Sequence, residues 1–317
     1  MKAIRYRELM RDRWDDFVLR THSGTFLHTR KYLSYHGNRL EDISIVLEDD
    51  RGQMIGILPA AVDPLNRERA VNHPGITYGG ILHAGSLRGE TMLTAFDAII
   101  QLLASFGMER LAYKAVPYIY HNSPCSDDLY ALFRLGAVRY RSDLSCTIDL
   151  QRRGPCTSRR TRGIEKAQRN GVSIREGREF ASHIWPILTE NLQRKHNLRP
   201  VHTVDEILLL HDRFPNNIAF LSAFIGTQAV AGLTLYETTL VSHAQYICSS
   251  PEGNELSALD LLIEHAIRRA QTSAKRYFDF GVSTVESGQK LNTGLHNFKA
   301  EFGGGAIVHD FFEVQFK

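Results

Sequence analysis

Apolar residues recur along the chain at two spacings, and the spacing changes wherever Gly, Pro, Asn and Asp cluster. An amphipathic segment from Glu8 to His22 reads as helix, and alternating runs at Ile43 to Glu48 and Met54 to Val62 read as strands joined by the turn Asp49-Asp50-Arg51-Gly52. After a glycine-rich stretch, Leu93, Phe96, Ile99, Ile100 and Leu103 fall on one face of a helix predicted over Glu90 to Phe106 and ended by Gly107. A strand at Arg110 to Val116, a short helix at Asp127 to Leu135 closed by Gly136, and a strand pair through Leu150 follow. The second half repeats this order. Helices are expected at Glu179 to Asn197 and at Thr203 to Phe214, where Thr203-x-x-Glu206 is a capping box. Strands follow at Ile218 to Ile225, Ala229 to Glu237 and Leu240 to Cys248, then a helix at Leu256 to Ala270. A strand at Tyr277 to Phe280, a short helix at Thr293 to Phe302, glycines 303 to 305 and a strand at Ala306 to Phe316 complete it. The halves share this pattern rather than residue identities, so two tandem copies of one α/β unit are expected, meeting where Gly154-Pro155 interrupts the pattern.

Composition narrows the class. The 317 residues are 43% hydrophobic and carry 38 Lys plus Arg against 35 Asp plus Glu, which excludes disordered, collagen-like and low-complexity chains. A net charge of +3 does not by itself imply nucleic acid, although the charge is unevenly spread. The four cysteines show neither a C-x-x-C pair nor zinc spacing, so no disulfide framework or metal site is expected and a reducing compartment fits. The opening MKAIRYRELMRDRWDDF is charged throughout and lacks the apolar core of a secretory leader, so a cytoplasmic location is expected. The long uncharged span from Ile218 to Tyr236 is broken by Gly226-Thr227-Gln228 and reads as two buried strands rather than a membrane helix.

Phosphate-loop, dinucleotide, serine-hydrolase and zincin signatures are all missing from the sequence. Four placements of polar residues remain. On the short helix after Phe280, Leu295, Phe298 and Phe302 share one face, while Asn292, His296 and Lys299 share another. The second face is either solvated or a site for a lowered amine pKa and for neutralising an oxyanion. On the strand Leu240 to Cys248, the period of two puts Val241, His243 and Gln245 on one side and Ala244, Tyr246 and Cys248 on the other. His243 is then either a satisfied core histidine or a catalytic group. The stretch His73 to Gly80, with three glycines around Thr77 and Tyr78, either turns the chain or lets a ligand approach its backbone. In Arg152 to Arg169, seven cations including Arg159, Arg160 and Arg162 face the single acid Glu165, as a solvated run or as a holder of phosphates.

Several of these stretches resemble one family. The segments His73-Pro74-Gly75-Ile76-Thr77-Tyr78-Gly79-Gly80, Tyr113-Lys114-x-Val116-Pro117 and Pro200-Val201-His202-Thr203 do so, as do His243-Ala244-Gln245-Tyr246, Tyr277-Phe278-Asp279-Phe280-Gly281 and Leu291-Asn292-x-Gly294-Leu295 leading to Phe298-Lys299-x-x-Phe302-Gly303. Together they are similar to the FemAB-like branch of the GNAT acyltransferases, in which two GNAT units lie in tandem. The resemblance implies an α/β fold with a mixed sheet and two GNAT-like N-acyltransferase domains, 1–150 and 151–317, the second being the catalytic half. It implies direct attack of an amine on an acyl donor lying between two splayed strands, without a covalent enzyme intermediate. Lys299 would contact the donor or oxyanion, and His243 would be the base, with Asp279 and Glu286 behind it. Gln245, Tyr246, Asn292, His296, Phe298 and His202 would meet the substrates, while His73, Tyr78 and Lys114 would shape an acceptor cleft between the halves.

Two departures from the family pattern bear on the donor. The turn Ser249-Ser250-Pro251-Glu252-Gly253-Asn254-Glu255 stands where coenzyme A users carry a glycine-rich pyrophosphate loop, and no sustained heptads form a long helical arm between Gly171 and Ile218. The expected reaction is acyl transfer from acyl-coenzyme A, such as acetyl-coenzyme A, to the amino group of a sugar or related cell-envelope or polysaccharide precursor, with Arg159, Arg160 and Arg162 on a nucleotide-linked acceptor. The alternatives are an aminoacyl-tRNA-dependent transferase acting on a peptidoglycan precursor and a non-catalytic module for anionic glycans or nucleotides.

Overall fold

A computed structural model describes residues 1–316, Lys195 and His196 by their backbone alone. The chain forms two compact units. The first comprises Met1–Asp143, Glu286–Lys290 and the C-terminal segment from Val308; the second comprises Leu144–Val285 and Leu291–Ile307.

In the first unit β1 (Lys2–Arg5) leads to α1 (Arg11–Val18) and α2 (Arg30–Leu33), then to β2 (Ile45–Glu48), β3 (Met54–Leu58), β4 (Ala61–Asp63) and β5 (Asn66–Val71). Helix α3 (Glu90–Ser105), β6 (Arg110–Lys114), α4 (Asp127–Arg134) and the start of β7 (Val138–Asp149) follow. β1, β2 and β3 make an antiparallel sheet. β4 pairs antiparallel with β5, and β5 pairs in parallel with β6 at Arg69↔Arg110, Ala70↔Leu111 and Val71↔Ala112. A parallel pair needs a crossover, and α3 supplies it, burying Phe96, Ile99 and Leu103 as their spacing predicts. The single run expected over Met54 to Val62 is two strands, because Pro59 has no N–H to continue the ladder. The pair expected before Leu150 is instead the one long strand β7, in which Arg141 and Asp143 pair along the strand and the backbone stays extended.

The second unit holds the rest of β7, then α5 (Ser158–Arg169), β8 (Ser173–Glu176), α6 (Ala181–His196), α7 (Val204–Arg213), β9 (Ile218–Ile225), β10 (Gln228–Glu237) and β11 (Val241–Ser249). Next come α8 (Pro251–Glu255), α9 (Ala258–Thr272) and β12 (Tyr277–Val282). The two-residue strands β13 (Thr284–Val285) and β14 (Lys290–Leu291), helix α10 (Thr293–Ala300) and β15 (Gly305–Gln315) end the chain; the last part of β15 pairs with β6 in the first unit's sheet. β8, β9, β10 and β11 are successively antiparallel, β12 joins β11 in parallel, and β7 borders β12 antiparallel. α9 is the crossover, with Ile263, Ala266, Ile267 and Ala270 buried against Leu233, Leu235, Phe278 and Phe280. The capping box forms as read: Thr203 Oγ1 accepts from Glu206 N (3.2 Å) and Glu206 Oε2 from Thr203 N (2.9 Å).

α5 is a helix that periodicity does not announce, since its apolar residues are few. Thr157 caps it, and its small residues carry the packing. A Cβ on Gly163 would stand 2.0 Å from Asp260 Oδ2, so only glycine lets α5 approach α9 this closely.

Candidate active site

β11 and β12 pair over three positions only, Val241↔Tyr277, Ser242↔Phe278 and His243↔Asp279. Beyond them β11 continues beside β10 and β12 beside β7, so the parallel pair forks at His243 and Asp279. A bulge decides which side chains face the fork. On β10, Tyr236 stands opposite His243, Leu235 opposite Ala244 and Thr234 opposite Tyr246, which leaves Gln245 as the extra residue. The strict alternation expected for this strand is thereby corrected: the extra residue reverses the pleat, and His243 and Tyr246 share one face.

At the fork His243 Nδ1 lies 2.7 Å from Asp279 Oδ2. The carboxylate is fully buried, and its other oxygen accepts hydrogen bonds from Ser145 Oγ (2.6 Å) and Thr147 Oγ1 (2.7 Å) on β7. Ser145 and Thr147 went unread in the sequence, although hydroxyls two apart on a strand necessarily share a face. An ionised Asp279 selects the Nδ1–H tautomer of His243, leaving Nε2 with its lone pair, the arrangement of a general base held by an acid. Gly281 takes φ +74°, and a Cβ there would come within 3.3 Å of His243 Cε1, so a side chain would press on the imidazole.

Lys299 is the one buried residue of α10. Its Nζ donates to Gly281 O and Val282 O, each at 2.8 Å, which ties the helix to the end of β12 and leaves one N–H for a further acceptor. Burial lowers its pKa to about 8, against the opposing pull of Asp279 and Cys146. Burial pushes the Cys146 thiol up to about 12, which removes it as a nucleophile at neutral pH.

Other sequence-predicted residues lie on the same unit. Tyr246 OH and His202 Nδ1 are 2.6 Å apart, and Trp185 Nε1 donates to His202 O (2.9 Å) while its ring stands edge-on to Tyr246. A cavity of about 920 Å³ opens here, walled by Trp185, Pro186, Pro200 and His202 with Arg194 and Arg199. Asn292 caps α10, accepting from Leu295 N (3.0 Å); His296 is half-buried, and Phe298 carries the Arg160 guanidinium 4.8 Å above its ring. Leu295, expected on the packed face, is exposed.

Four predicted residues belong to the first unit. His73 and Tyr78 are buried there, Tyr78 with its ring 4.4 Å from that of Tyr120, and Lys114 Nζ donates to Ile76 O, with burial lowering its pKa to about 7. Glu286 is exposed and 3.4 Å from Lys290.

Arg160 is not part of a solvated run. It is buried, 2.6 Å from Asp260 and 2.8 Å from Glu301, while Arg159 and Arg162 are exposed. The α8 turn has few amides to offer a ligand: Pro251 has no N–H, Gly253 N donates to Ser250 Oγ (3.0 Å) and Asn254 N to Ser250 O (2.9 Å), and Glu252 adds a negative charge. Among the described residues no group of three or more His, Cys, Asp or Glu could hold a metal, and no helix is long and apolar enough to cross a membrane.

The forked parallel pair lies within residues 157–299, which match the family described as an acetyltransferase (GNAT) domain. No curated protein matches the chain in sequence. Among solved structures it is similar to FemX, with TM-score 0.69 and 11% identity over 100% of this chain and 98% of that one. It is also similar to L-PGS from Bacillus licheniformis (TM-score 0.61, 12% identity, 96% and 91% covered). A tandem GNAT protein from the clavulanic acid biosynthesis pathway gives TM-score 0.50 and 11% identity over 88% and 84%. Residues 157–299 thus form a GNAT acetyltransferase-type domain, and the chain as a whole shares the fold of FemX.

Proposed function

We propose that the second unit transfers an acyl group to the amino group of a sugar or related envelope precursor within a ternary complex. The observation that carries this reading is the His243–Asp279 pair at the vertex of the β11–β12 fork. The acceptor ammonium loses one proton before it can attack. As the amine nitrogen bonds to the acyl carbon, His243 Nε2 takes the second proton, and the carbonyl oxygen gathers negative charge near the remaining Lys299 N–H. The carbon to leaving-group bond then breaks, and the leaving sulfur or oxygen receives the proton from the imidazolium. Positioning by the two arms of the fork supplies the rest of the rate enhancement.

The 920 Å³ cavity beside Tyr246 and His202 suits the acceptor: Trp185 and the prolines offer flat faces to a sugar ring, and Arg194 and Arg199 offer charge to a phosphate-linked group. An acyl-coenzyme A donor is the first candidate. A second reading, with aminoacyl-tRNA as donor, is favoured by the exposed cations of α5 beside an α8 turn whose amides are already engaged. Mass spectrometry of products from acetyl-coenzyme A and a panel of amino sugars tests the first reading: the expected product is the N-acetyl sugar, lost on His243→Ala. Unchanged turnover in that variant would sink the assignment.

A further inference from the structure

An acceptor ammonium loses two protons on becoming an amide, and His243 can hold only one of them. Asp279 keeps Nδ1–H of the imidazole, so its single lone pair is on Nε2, where it takes the proton released as the carbon to nitrogen bond forms. The first proton has to leave earlier, because an ammonium nitrogen has no lone pair with which to attack. A second polar pair stands on the same face of the same strand. The bulge at Gln245 makes Tyr246 the next residue after His243 on that face, roughly 7 Å away from Cα to Cα by the strand rise. Tyr236 and Thr234 of β10 stand opposite the two, and Thr234 Oγ1, fully buried, has no hydrogen-bond partner among the described residues. His202, which precedes the Thr203 cap of α7, brings its Nδ1 to 2.6 Å from the Tyr246 oxygen. Trp185 fixes both partners, donating to His202 O (2.9 Å) and standing edge-on to the Tyr246 ring at 5.3 Å. Both side chains are buried, yet His202 is also part of the wall of the 920 Å³ cavity.

We infer that Tyr246 and His202 form a relay that takes the first proton of the acceptor ammonium and leaves the second to His243. This role rests on the acyltransferase reading, to which it adds a destination for the proton that acyl transfer from an ammonium sets free. An N–H bond of the ammonium breaks as an O–H bond forms on Tyr246, while the phenol's own O–H breaks and its proton bonds to His202 Nδ1. The amine keeps the electron pair, and the positive charge passes to the imidazolium, which gives a proton to water in the cavity that His202 lines. The proton held by His243 goes to the leaving group, so one proton is released for each acyl group transferred. A phenol suits the middle position, since one oxygen both donates and accepts. The acceptor served by such a relay is a basic amine that arrives charged, rather than a weakly basic one.

The test uses the full chain with acetyl-coenzyme A and two nucleophiles: the amino sugar that wild type acetylates fastest, and the same sugar carrying an aminooxy group. The aminooxy nitrogen is uncharged at neutral pH and has only one proton to lose. Tyr246→Phe keeps the ring against Trp185, and His202→Gln keeps a hydrogen-bond acceptor that cannot take up a proton; thermal melts check that both variants are folded. With the amino sugar each variant is expected to lose about 10²-fold in kcat with little change in KM, the lower end for an acid–base group. With the aminooxy sugar the loss should shrink to less than about threefold, whereas His243→Ala loses turnover of both. Equal losses with the two nucleophiles, or no loss with either, overturn the relay and leave the His243 chemistry standing. If wild type acetylates no amino sugar, the acyltransferase reading falls and the relay with it. If it acetylates the amino sugar but not its aminooxy analogue, the tautomer of His202 decides. Nitrogen-15 spectra should then show Nδ1 unprotonated in wild type and shifted in Tyr246→Phe, and a protonated Nδ1 overturns the relay.

Discussion

Each unit contains a parallel strand pair that ends after three pairings, and the two pairs end differently. In the first unit the ladder between β5 and β6 is stitched onward: Asn72 N donates to Ala112 O (2.9 Å), Gly79 N to Lys114 O (3.0 Å), and the Asn72 side chain accepts from Gly80 N and Lys114 N (each 3.2 Å) while donating to Pro59 O (3.0 Å). One buried amide thus satisfies three backbone groups, and the 73–80 loop closes the fork. In the second unit the corresponding vertex carries His243 and Asp279, and β11 and β12 diverge. Similar topology yields a joint stitched by one amide side chain in one case and an open fork carrying a histidine–carboxylate pair in the other.

This contrast can be broken by substitution. His243→Gln should lower turnover by about 10²- to 10⁴-fold, the usual worth of a general base, with little change in melting temperature. Steady-state rates and a melt on one preparation separate the two effects. Lowering the pH should act on the first unit. His28 and His83 have pKa values lowered to about 4 by burial, and that of His73 is lowered well below the usual value for the same reason. The unfolded chain takes up protons near 6.5 that the folded unit refuses, so stability falls as pH drops from about 6.5 toward 4, by about 2 kcal/mol at pH 5 for His28 alone. Urea midpoints at pH 7 and pH 5, followed by a probe in each unit, should show the first unit giving way first; equal losses would defeat the contrast. Asn72→Ala should cost about 2 kcal/mol through orphaned backbone groups and leave turnover per folded molecule intact. Smallest of all, Thr203→Ala removes a cap in the second unit and should cost about 1 kcal/mol, read as a shift in denaturant midpoint at constant slope.

Much of this architecture was legible in advance. The stripes of α3 and α9, the Thr203–Glu206 box and the Gly226-Thr227 turn are local patterns, and each forms where the spacing places it. His243 and Lys299 were singled out by their placement and Asp279 by resemblance, yet spacing alone misplaced two features around them. The bulge at Gln245 reverses the pleat, and nothing in the residues 243 to 246 marks it, because a bulge is set by the partner strand's register. α5 resembled a solvated run because charge masks a helix whose contacts are made by Gly163, Ala167 and the stem of Arg160. Ser145 and Thr147 carried no signal as small hydroxyl residues on a strand, and only their distances to Asp279 mark them.

From the order of residues alone came the elements, their caps and turns, and the expectation of a doubled α/β unit, because these depend on neighbours within a few positions. The juxtapositions that matter chemically join residues far apart in the chain: Thr147 to Asp279, Arg160 to Asp260, His202 to Tyr246. Short-range periodicity carries no information about such pairs. Burial does, since a carboxylate or ammonium removed from water persists only where packing brings it a partner, and that partner is chosen by the tertiary structure.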